Sequence, residues 1–197
     1  MLGKIFIEMA IKDFEDFFTT SFTIKRVYKD GVTLKISGSG EDTTLIIPND
    51  FAQMELTDDS DKFYALLLLG HELGHYINKH NHYTESQNEE TRAIEMWADF
   101  FGTVIAMSLF ILGGQIVSQF SFKPNSDKEN SLKAICGAFE RIYAIYKNGD
   151  GSNIYEHSSS RILTIVTGIS SFLIRLEISK LINAKKIDLE LWTDTYL

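Results

Sequence analysis

The chain has 197 residues, 44% hydrophobic and 12% aromatic, with a formal net charge of −8 and a pI near 5.1. That composition excludes wholesale disorder, and the length suits one well-packed domain over residues 1–197. The acidic balance argues against nucleic acid or an anionic membrane surface as a general partner, and the single Cys136 permits no internal disulfide and suits a reducing compartment.

Met1–Ala10 carries Glu8 inside an apolar stretch and lacks a small-residue cleavage site, so it does not read as a signal peptide, and the cytoplasm is the expected location. Residues 4–18 mix helical spacing at Phe14, Phe17 and Phe18 with a strand-like Lys4-Ile5-Phe6-Ile7, which leaves both assignments open. Residues 22–47 hold three runs rich in β-branched residues, Phe22–Tyr28, Val32–Ile36 and Thr43–Ile47. Asp30-Gly31 and Gly38-Ser39-Gly40 separate them with turn chemistry, which predicts a three-stranded antiparallel meander. Its edge would suit an extended peptide, or the sheet would only cover the helices.

After Pro48 the pattern turns helical over about 61–80, 87–112, 130–147 and 158–183, with loops at Lys123–Asp127 and Asn148–Ser152. The first of these helices carries His71-Glu72-Leu73-Gly74-His75, with Ser60 or Asp61 as its expected cap. Two histidines four residues apart lie about 40° apart on one helix face, so both imidazoles can reach a single zinc ion. Glu72, one residue after the first ligand, can take a proton from an attacking water without binding the metal itself.

A catalytic zinc takes three protein ligands and keeps one open position. Glu95, twenty residues after His75, is the expected third ligand. Asp99, one turn further, is placed to accept from the outer ring nitrogen of a ligand histidine. A three-histidine site of the H-E-x-x-H-x-x-G-x-x-H type would need glycine at 78 and histidine at 81; both positions hold asparagine, so His80 and His82 read as solvated turn residues. Glu89 and Glu90 are alternative carboxylates that read better as an acidic first turn behind a Ser86 cap.

Phe100–Phe122 contains no charged residue, long enough for a membrane span but interrupted by Gly113-Gly114-Gln115. The expected reading is a buried helix ending near Leu112 with a glycine cap, with membrane association as the alternative. Cys136, among Ile135, Ala138 and Phe139, reads as a buried structural thiol. His157 and Arg161, four residues apart at the start of the last helix, are candidates to stabilise an oxyanion, and the loop before them could act as a lid. Trp192 and Tyr196 would pack the tail or bind a partner.

His71-Glu72-Leu73-Gly74-His75 with His80, then Glu95-x-x-Ala98-Asp99, then His157-x-x-x-Arg161-Ile162, resembles the motif order of the phage-exclusion protease Lit and its relatives. HtpX-like and CAAX-processing membrane endopeptidases share a similar layout. The resemblance spans about residues 63–165 and implies a mainly helical α+β, zincin-like fold with two His and one Glu on zinc. It also implies the motif Glu as base and a late His-Pro…Arg-Ile segment by the site; Ser158 stands here where a Pro is common. From Lit it implies a bacterial defence role, a narrow protein substrate, and activity governed by an activating or inhibitory partner. ImmA/IrrE-type regulatory peptidases are a more distant likeness, without a counterpart of His157 and Arg161. The function expected is a zinc-dependent endopeptidase acting on a protein or peptide; the alternative is a binding module that zinc only staples.

Overall fold

The computed structural model describes residues 1–18, 23–80, 88–148 and 156–183. It is mainly helical, with one small sheet near the N-terminus, the α+β class expected. Ser86, His82, Trp192, Tyr196 and the loop beyond Asn148 lie outside the described residues, so the readings made for them stand as expectations.

Helix α1 covers Gly3–Phe17. Phe6, Ile7, Ala10, Ile11 and Phe14 are fully buried while Ile5 is exposed, a spacing that only a helix satisfies, so the strand-like reading of residues 4–7 is set aside. Three strands follow, β1 Lys25–Lys29, β2 Lys35–Ser37 and β3 Thr44–Pro48. The expected antiparallel meander is corrected here. The sheet order is β1-β3-β2, with β1 parallel to β3 and β2 antiparallel to it. β3 supplies Leu45 and Ile47 to the core and takes the middle, whereas the strands carrying Lys25, Arg26, Lys29 and Lys35 form the edges, where charge is tolerated and blocks further pairing. Gly31, Gly38 and Gly40 adopt positive φ, as turn glycines do.

After the short α2, Asn49–Gln53, come four long helices: α3 Asp59–Ile77, α4 Asn88–Leu112, α5 Lys128–Asn148 and α6 Ser158–Asn183. The cap of α3 is Asp58, not Ser60 or Asp61: its side chain accepts from the Asp61 N–H at 2.8 Å. Asp61 is buried instead, accepting from Thr57 N and Oγ1 at 2.8 Å each.

Helix α3 packs mainly on α4, and the two touch backbone to backbone. A Cβ on Gly70 would meet the Gly102 carbonyl, one on Gly102 would meet that of Gly70, and one on Gly74 would meet Ala98. Phe63, Leu66, Leu69 and Leu73 of α3 join Ile105, Ala106, Leu109 and Phe110 of α4 in a core that extends into α1, the sheet, α5 and α6. The uncharged run therefore begins as a core helix. Its continuation is caught by the buried Asp13 of α1, which accepts from Gln115 N at 2.9 Å and Ile116 N at 2.8 Å, and Phe120 returns to the core. Two described helices are long and apolar enough to cross a membrane: Glu89–Leu112, 61% buried over its most apolar window, and Ser158–Lys180, 17% buried.

Cys136 corrects another expectation: it is exposed. The buried stripe of α5 runs through Ser131, Ala134, Ile135, Ala138 and Ile142, and position 136 falls on the opposite face.

Candidate metal centre

The α3–α4 contact decides where the site forms. Because glycines bring the two helices so close, His71 and His75 on α3 face Glu95 and Asp99 on α4 directly. His71 Nε2 and His75 Nε2 are 3.1 Å apart. Glu95 reaches both, with Oε2 3.4 Å from His71 Nε2 and Oε1 3.5 Å from His75 Nε2. A tetrahedral ion with bonds of about 2.0–2.1 Å sets its ligand atoms about 3.3–3.4 Å apart, so these three donors have the spacing of one tetrahedral face. Two imidazoles and a carboxylate are also a donor set that zinc accepts. The residues present fit the ion.

Asp99 is buried and accepts from His71 Nδ1 at 2.9 Å. A carboxylate only accepts, so the Nδ1–H donates to Asp99, which leaves Nε2 as the nitrogen a metal would take.

 

Held this way, His71 presents Nε2 toward His75 and Glu95. Arg161 grips the same carboxylate with two prongs, Nε to Oδ2 at 2.7 Å and Nη2 to Oδ1 at 2.9 Å, and Tyr146 of α5 donates to Oδ1 at 2.8 Å. Burial pushes Asp99 up, but the hydrogen bonds and charges of His71 and Arg161 outweigh it and hold the carboxyl below the usual range. Burial works against charge on His71 as well; Asp99 and Glu95 prevail and raise it to about 10. His75, buried beside a cationic His71, is lowered to about 4. Glu95 is pushed up by burial and, more strongly, held down by its histidine neighbours and Arg161.

Glu72 lies on the same turn of α3, and burial raises its carboxyl above the usual range. Its Oε2 accepts from the Ile36 N–H of edge strand β2 at 3.0 Å. A cleft of about 790 Å³ opens here, lined by His71, Glu72, Glu95, Tyr146 and Arg161 on the polar side. Leu34, Phe51, Met54, Tyr64 and Leu68 are among its apolar residues.

The structure thus brings together His71, Glu72, His75, Glu95, Asp99 and Arg161. His157 is placed differently. It is exposed at the start of α6, where its Nδ1 accepts from Ser159 N at 3.3 Å, and it is not among the described residues lining the cleft. His80 departs from the solvated reading: it is half-buried, with Nδ1 3.1 Å from His75 Nδ1. Lys79, at φ 57°, turns the chain so that His80 folds back on the helix it follows. Tyr146 escaped sequence reasoning because an aromatic residue one turn after the buried Ile142 reads as core. Compared with protein-family models, curated proteins and solved structures, the chain matches none of them.

Proposed function

We propose that the chain is a zinc-dependent endopeptidase that hydrolyses a peptide bond in a protein substrate. The observation that carries this reading is the convergence of His71, His75 and Glu95 at 3.1–3.5 Å, with Glu72 beside them on the wall of an open cleft. Zinc, when bound, supplies Lewis-acid polarisation and makes water a nucleophile near neutral pH. The remaining work belongs to the chain's own side chains. Asp99 fixes the tautomer and orientation of His71. Glu72, shifted by burial toward neutrality, takes the proton of the attacking water and passes it to the departing amine as the C–N bond breaks. Arg161 puts a fixed positive charge on the cleft wall, which favours a developing oxyanion, and the apolar wall excludes water and receives substrate side chains. An extended peptide can lie against Val32–Leu34, the stretch that leads into edge strand β2 and lines the cleft.

By its resemblance to Lit, the reading extends to a bacterial defence or regulatory protease with a narrow substrate, acting in the cytoplasm and controlled by a partner protein. A second reading, a zinc-stapled binding module, draws on the Glu72–Ile36 hydrogen bond, which gives that carboxylate a structural task. The variant Glu72→Gln separates the two, because an amide oxygen still accepts from Ile36 N–H but cannot take a proton. Zinc-loaded chains are incubated with a proteome-derived peptide library and new termini are read by mass spectrometry. Cleavage by the wild type and none by Glu72→Gln, at equal zinc content, supports the peptidase. Equal cleavage by both removes Glu72 as base, and no cleavage by zinc-loaded wild type favours the binding module.

A further inference from the structure

Tyr146 lies outside every motif, yet it touches the site's supporting network at two points. Its hydroxyl donates to Asp99 Oδ1 at 2.8 Å, and its ring lies against the Arg161 guanidinium, 3.7 Å from the centroid. Asp99 Oδ1 therefore accepts three times: from His71 Nδ1 at 2.9 Å, from Arg161 Nη2 at 2.9 Å and from Tyr146. Donors that share one oxygen compete for its electron density, so each weakens the others. Aim is already secured by the two-pronged Arg161 contact, which fixes the plane of the carboxylate. The hydroxyl is thus surplus to orientation, and its effect falls on the strength of the remaining bonds.

We infer that Tyr146 is a positioning residue that acts through Asp99, tempering its pull on the His71 Nδ1 proton and so keeping His71 a moderate rather than a strong metal ligand. This rests on the metal reading of the site. A strongly basic ligand set would hold zinc tightly but blunt its Lewis acidity, so a donor that restrains Asp99 trades affinity for electrophilicity. Tyr146 also lines the cleft, so this restraint sits within reach of whatever the cleft binds.

The variant Tyr146→Phe removes the hydroxyl and keeps the ring against Arg161. The full chain is compared with the wild type by chelator competition for zinc and by the His71 Nδ1 proton resonance. The expected result is a downfield shift of that resonance and zinc binding tightened about threefold, because Asp99 then polarises His71 more strongly. A tyrosine that only packs the site gives the opposite, with a loosened Asp99 and weaker zinc. Weaker zinc, or an unmoved resonance, overturns the inference. Failure of the wild type to take up zinc overturns the metal reading instead; the resonance comparison on the metal-free chain then still decides whether Tyr146 acts on the His71–Asp99 bond.

Discussion

His71 is pulled from both sides of its ring. Nδ1 donates to Asp99, while Nε2 faces His75 and Glu95, and without a metal the two carboxylates keep the ring cationic up to about pH 10. An ion entering the site must therefore displace a proton. Below about pH 10 the zinc affinity should rise about tenfold per pH unit, one proton leaving per ion bound. The stability of the metal-free protein carries the complementary sign. A histidine raised from 6.5 to about 10 contributes stability that is fully present below pH 6.5 and is lost as pH rises through about 10. The depressed His75 acts elsewhere, costing stability as pH falls from 6.5 toward about 4. Zinc titrations across pH 6.5 to 10 check this, and an affinity independent of pH would show that His71 carries no displaceable proton.

The site exists because α3 and α4 cross at Gly70, Gly74 and Gly102 without side chains between them. A side chain at Gly102 has the Gly70 carbonyl and the His71 Cα in its way, and both are backbone, so the helices must separate. Gly102→Val should cost about 3 kcal/mol of stability, seen as a lowered melting temperature, and should weaken zinc by about tenfold as Glu95 withdraws from the histidines. Unchanged zinc affinity would mean that Glu95 follows α3 regardless of the crossing. This is also where sequence legibility divides. The long helices could be read because their apolar residues recur at helical spacing, and the pairs His71/His75 and Glu95/Asp99 could be read because residues four apart share one helix face. The glycine crossing could not, since isolated glycines in a helix do not say which partner they meet. Strand order was hidden for a related reason: turn glycines mark where the chain reverses, while the central place of β3 follows from Leu45 and Ile47 facing a core built largely by later residues. Tyr146 and His80 reach the site from positions whose neighbours exist only in three dimensions.

Across the whole molecule, one hydrophobic cluster joins α1, the sheet and α3–α6, and the cleft is the gap left between the Val32–Leu34 segment, α2, α3 and α5. Four elements build the site beside it: α3 brings His71, Glu72 and His75; α4 brings Glu95 and Asp99; α5 brings Tyr146; α6 brings Arg161. A metal held by α3 and α4 would clasp two helices that already touch backbone to backbone at their glycines, so its binding energy would add to folding stability. Whether His71, His75 and Glu95 hold zinc is decided by elemental mass spectrometry on chain purified without added metal or detergent. The expected result is about one zinc per chain in the wild type and a marked loss in Glu95→Ala. No zinc in the wild type, and no uptake when it is added to the folded protein, would contradict it and leave the histidines as members of an ordinary helical core.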